Sequence, residues 1–131
     1  VNEPIWISDR EAAAINARAL MLFGGLEGGV RDQALLQAAL ARPLNKWHYE
    51  KPPSDIFALA AAYAFALCTG HVFNDGNKPT ALAVAATFLE INGWTQDAPE
   101  PDIVRVMIGV AHASIGERAL ASWFRKTSRK I

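Results

Sequence analysis

The sequence predicts a single all-α domain of about six helices with a central buried helix, and three observations support it. The chain has 131 residues, of which 51% are hydrophobic, with alanine prominent, a composition suited to closely packed helices. Amphipathic or apolar runs of helical length are separated by short glycine, proline or asparagine breaks. No run of alternating apolar and polar residues reads as a strand. The length suits one domain, residues 1–131, with one core.

The elements follow in order. Ser8 and Glu11 have capping-box spacing, and Ile15, Ala19 and Leu22 continue on one helical face. Gly24, Gly25, Gly28 and Gly29 stop this helix in a flexible turn. A second helix is expected over about residues 32–41, with Pro43 ending it. Residues 44–53, containing Trp47, His48, Tyr49, Pro52 and Pro53, read as the most irregular part. Ser54 can cap a third helix carrying Phe57, Ala61, Ala64 and Cys68, which Gly70 terminates. Asn77 can cap a fourth, apolar on nearly every side over residues 81–91 and therefore the expected centre of the core. Asn92 and Gly93 close it. A polar turn over residues 95–101 leads to a fifth helix near residues 102–113. Ser114 and Glu117 repeat the capping-box spacing before a sixth helix with Leu120, Trp123 and Phe124.

Bulk properties exclude several classes of function. Thirteen basic and thirteen acidic residues balance, so no global field attracts nucleic acid or an anionic membrane. The cluster Arg125, Lys126, Arg129 and Lys130 suits the negative end of a last helix. The lone Cys68 excludes an internal disulfide framework, fits a reducing cytoplasm, and lies in an apolar segment where core packing is the expected role. The first residues, VNEP, lack the basic and apolar regions of a secretory signal, and no apolar stretch suits a bilayer span.

The chemistry concentrates in residues 71–78, HVFNDGNK. His71 offers a general acid or base near neutral pH. Asp75 offers a hard oxygen for magnesium, an ion satisfied by one or two carboxylates together with phosphates and water. Gly76 and Asn77 permit a tight turn whose amides open into a helix start, a natural anion site strengthened by the macrodipole. Lys78 adds positive charge. A base, a metal ligand and an anion nest in one turn point to phosphoryl or nucleotidyl transfer. Each residue also has an ordinary reading: a structural histidine, a turn aspartate, a helix cap, a solvated lysine.

The run resembles the Fic/Doc signature H-x-F-x-D/E-A/G-N-G/K-R in its Doc form, which has lysine in the penultimate place. His71, Phe73, Asp75, Gly76, Asn77 and Lys78 fit it. Residues 24–32, Leu35, Leu36 and residues 38–43 look like the upstream Doc-type helix pair, so the likeness covers nearly the whole chain. It implies that His71 takes the proton of a target hydroxyl and that Asp75 holds Mg2+ on the phosphates of ATP. It further implies that Gly76 and Asn77 receive phosphate while Phe73 packs the loop. Lysine at position 78, where the AMP-transferring branch has glycine, implies a nucleotide presenting its γ-phosphate. The implied activity is phosphorylation of a threonine of elongation factor Tu, blocking translation. The implied partner is a Phd-like antitoxin whose segment folds into a helical groove.

Pro79 stands where the family has arginine. Proline is tolerated in the first turn of a helix. It cannot reproduce a guanidinium fork on phosphate oxygens, so reduced activity is expected. Two alternatives accompany the kinase reading: a Fic-like AMP transferase, and a catalytically dead corepressor that only binds antitoxin. Trp47, His48 and Tyr49 lie upstream, where family members carry a target-positioning flap; packing on their own domain is the competing role.

Overall fold

The computed structural model describes residues 2–25 and 28–131; Val1, and Leu26 and Glu27 of the glycine-rich turn, lie outside the described residues. Among the described residues the chain forms six helices and one small two-stranded sheet. The first helix, α1 (Asp9–Phe23), begins in the expected capping box: the Ser8 hydroxyl accepts from the Glu11 N–H while the Glu11 carboxylate accepts from the Ser8 N–H. Its buried stripe is Ala12, Asn16 and Ala19, so the apolar face is rotated from the expected one and Leu22 is exposed. Helix α2 (Gln33–Tyr49) is capped by Asp32, whose carboxylate accepts from Ala34 and Leu35 N–H.

Pro43 does not end α2, and residues 44–49 are helical rather than irregular. An internal proline forfeits one backbone bond and costs about 3 kcal/mol. Here Pro43 is buried, and the following turn is secured by a 2.7 Å Lys46–Glu50 pair and by Trp47 packing edge-on to Trp6. Tertiary packing outweighs the local preference.

Helix α3 (Ile56–Thr69) is capped by Asp55 rather than Ser54, and Gly70 closes it as expected. Helix α4 (Asn77–Ile91) follows, with Asn92 at its end. Both are apolar around most of their circumference, and they pack on each other. α3 is buried over more of its length than α4, because α2 and α6 (Glu117–Thr127) also pack on it. The centre of the core is thus an α3–α4 pair, with Tyr63 and Phe88 in ring contact at 4.9 Å.

Helix α5 (Glu100–Ala111) starts earlier than expected, since Pro101 is compatible with a first turn. Helix α6 has Gly116 at its N-cap and so no side-chain cap; Ser114 instead donates to the Gly109 carbonyl. The unexpected sheet pairs β1 (Trp94–Gln96) antiparallel with β2 (Ser128–Lys130), tying the C-terminal residues to the end of α4. Much of the C-terminal basic cluster is used within the chain. Arg125 pairs with Asp55, Arg129 pairs with Asp97, and Lys130 lies over Trp94.

Candidate active site

The HVFNDGNK run joins the C-terminus of α3 to the N-terminus of α4, and its shape is set by hydrogen bonds to segments distant in sequence. His71 follows the Gly70 cap and is exposed, with φ at 49°. A left-handed backbone costs a non-glycine residue about 1–2 kcal/mol, so it persists only where the surroundings impose it. Arg31 imposes it here: its Nε donates to the His71 carbonyl at 2.7 Å and its N–H donates to the Val72 carbonyl at 2.9 Å. Val30 bridges Phe73 in antiparallel fashion. The Asn74 N–H donates to the Gly29 carbonyl at 3.0 Å and its side-chain amide to the Gly28 carbonyl at 3.1 Å. Residues 28–31 and 71–74 therefore form a short ribbon. It holds the histidine at the surface while Val72 and Phe73 are buried beneath.

Asp75 and Gly76 turn the chain into α4. Gly76 has φ at 72°, a left-handed backbone that favours glycine, and caps α4 through its backbone with no side-chain cap. Asn77 is not the cap. Its Oδ1 accepts from the Phe73 N–H at 2.9 Å and its Nδ2 donates to the Phe73 carbonyl at 3.0 Å, closing the loop on itself. The first-turn amides of α4 have no intrahelical acceptor, so this end is suited to an anion. Pro79, the third residue of the helix, lacks an N–H and so supplies one donor fewer to that site.

The Asp75 carboxylate is half-buried, and its Oδ1 accepts from the Gly76 N–H at 2.7 Å. Gly25 approaches so closely that a methyl group there would clash with the Leu20 side chain and lie 3.1 Å from Asp75 Oδ2. The donor set fits magnesium held by one carboxylate and completed by phosphate and water. Among the described residues no cluster of three or more His, Cys, Asp or Glu forms a cage. Lys78 is exposed on the first turn of α4. Its charge reaches Cys68, whose thiol burial pushes up and Lys78 partly pulls back, so Cys68 is a poor nucleophile.

The structure brings His71, Asp75, Gly76, Asn77, Lys78 and Pro79 together at one end of the α3–α4 pair. It does not bring Trp47, His48 and Tyr49 there. The N-terminus of α2 adjoins the ribbon, and its 17 residues carry the other end about 25 Å away. Trp47 packs on Trp6, His48 lies 4.0 Å from Glu3, and Tyr49 is exposed. An open cavity of about 620 Å³ between α2, α3 and α6 also lies apart from the motif; Lys46–Glu50 and Asp55–Arg125 pairs line it.

Two residues of the site were not legible as such in the sequence. Arg31 is anonymous because its role depends on the fold bringing it beside His71. Asn16 left a fainter signal, a polar residue between Ala12 and Ala19 on a helix that otherwise buries alanine. It is fully buried and bonded to both the loop and the glycine segment.

Comparison with known proteins agrees with the motif. The chain is 33% identical over 120 residues to "Protein kinase doc" of Escherichia phage P1, covering 92% of this chain and 93% of that protein. It is 45% identical over 83 residues to "Toxin Doc" of Mycolicibacterium smegmatis, covering 63% of this chain and 62% of that protein. The model of the Fic/DOC family matches residues 6–89, a span from the N-terminal arm through α1, α2, α3 and most of α4 that includes the whole motif loop. The chain belongs to the Fic/DOC family.

Proposed function

We propose that this chain is a Doc-type toxin, a protein kinase that moves the γ-phosphate of ATP to a threonine of elongation factor Tu and so halts translation in the cytoplasm. The carrying observation is the exposed His71, fixed on a strained backbone, in the same turn as Asp75 and the start of α4, which has no side-chain cap. The similarity to a protein named as a kinase over almost the full length of both chains supports the same reading.

In this mechanism the threonine oxygen attacks the γ-phosphorus, its proton passes to the His71 imidazole, and ADP leaves with the electron pair of the broken P–O bond. His71 must come within about 3 Å of that hydroxyl. The amides of Asn77 and Lys78 and the Lys78 ammonium hold phosphate oxygens. Magnesium, when bound at Asp75, neutralises phosphate charge. A Phd-like antitoxin is the partner that restrains the toxin.

Pro79 reduces this activity because neither a guanidinium nor an N–H stands at the third position of α4. That observation also favours a second reading, a chain that retains antitoxin binding and acts only as a corepressor. Elongation factor Tu incubated with labelled ATP separates the two. With Pro79→Arg, label from the γ-position should appear on the factor and should vanish when His71→Ala is added. Label from the α-position alone would replace the kinase with an AMP transferase. No label from either position would leave the corepressor.

A further inference from the structure

Asn16 is completely buried, and its side chain hydrogen-bonds to three separate segments. Its Nδ2 donates to the Asp75 carbonyl at 3.0 Å and to the Thr80 hydroxyl at 3.0 Å, while its Oδ1 accepts from the Gly29 N–H at 3.1 Å. Thr80 is also fully buried. One amide thus ties α1 to the turn holding Asp75, to the first turn of α4 and to the glycine segment paired with residues 71–74.

The bond to the Asp75 carbonyl matters most, because it fixes the peptide plane between Asp75 and Gly76. That plane sets where the Gly76 N–H points, and this N–H is bonded to Asp75 Oδ1. The orientation of the carboxylate therefore depends on a side chain 59 residues away. The second donor, to Thr80, keeps the amide from rotating, and its acceptor holds the glycine segment at Gly29. A buried network of this kind is costly when half-satisfied, so loss of Asn16 leaves the Asp75 carbonyl, the Thr80 hydroxyl and the Gly29 N–H to find other partners.

We infer that Asn16 is a positioning residue: it sets the Asp75 carboxylate for the divalent cation and couples the glycine segment to that setting. The inference rests on the proposed nucleotide site, and two readouts separate its failure from the failure of that site. The first is ATP affinity of the purified chain with and without Mg2+. In Asn16→Leu, which keeps the branched side-chain shape but removes every hydrogen bond, the gain in affinity on adding Mg2+ should fall about tenfold, the loss of one charge-assisted contact. Affinity without the metal should stay within about twofold, a constancy that general unfolding would not produce. Thr80→Val, which removes only the second anchor, should move the Mg2+ gain in the same direction by less, and it decides the matter where Asn16→Leu does not fold.

The second readout is amide hydrogen exchange without nucleotide. Exchange should quicken in residues 28–31 and 75–80 of the variants and stay unchanged in α3. An unaltered Mg2+ gain in folded variants, or unaltered exchange in both segments, overturns the positioning role. If the unsubstituted chain itself shows no Mg2+-dependent ATP binding, the nucleotide site falls, and the cation-setting role of Asn16 falls with it.

Discussion

Replacing Asn77 by alanine should destabilise the fold by an amount that follows from two hydrogen bonds. One half-buried amide accepts from the backbone N–H and donates to the carbonyl of Phe73, a residue 1% exposed. Each main-chain group left without a partner costs about 1–3 kcal/mol when buried, and partial solvent access favours the lower half, giving about 2–4 kcal/mol together. With about 2.1 cal/mol/K of unfolding entropy per residue over 131 residues, the melting temperature should fall by about 7–15 °C. Asn77→Asp keeps an acceptor for the Phe73 N–H but turns a donor toward the carbonyl into a second oxygen. Its charge also favours a helix start, so about half the loss is expected. Urea unfolding of the three proteins, followed by circular dichroism, measures both differences. A change below about 0.5 kcal/mol for Asn77→Ala, the scale of an ordinary surface substitution, would show that the bidentate closure of the loop does not hold it.

Pro79→Arg should raise phosphoryl transfer by about 10³–10⁵, the scale of an arginine that stabilises phosphate charge, while shifting stability by no more than about 1 kcal/mol. Single-turnover kinetics with radiolabelled ATP measure the rate, and equal rates for the two chains would clear proline of the defect. A different prediction concerns alkaline pH. Burial pushes the Tyr63 phenol up to about 12; the Ile7 N–H bond pulls against this and the Glu11 charge adds to it. The folded chain keeps a proton that the unfolded chain releases near pH 10. Stability is therefore intact below about pH 10 and declines toward about pH 12, by up to roughly 3 kcal/mol. Tyr63→Phe should lose Ile7's acceptor at neutral pH yet show a shallower decline over that window. A decline of the same slope in both proteins would assign it to other groups.

How much of this molecule could be read before folding it depends on the range of the interactions concerned. Helix existence was legible because its causes are local: the Ser8–Glu11 capping box, the Gly70 and Asn92 stops, and the apolar runs of α3 and α4 act within a few residues. The family motif was legible for the same reason, since His71, Asp75, Gly76, Asn77 and Lys78 lie within eight consecutive residues. Where local and distant forces compete, the sequence misleads. Pro43 reads as a stop, but packing of α2 on the core carries the helix past it. Ser54, Asn77 and Ser114 read as caps, but Asp55, Gly76 and Gly116 take those places. Cap geometry depends on the entry angle of the chain, which tertiary packing sets. The strands β1 and β2 are three residues each and pair across more than thirty residues, leaving no periodic trace. The supports of the site were equally hidden. Arg31 reaches His71 across 40 residues and Asn16 reaches Asp75 across 59. A hydrogen bond leaves no mark on the sequence between its partners, so these contacts exist only once the helices have packed.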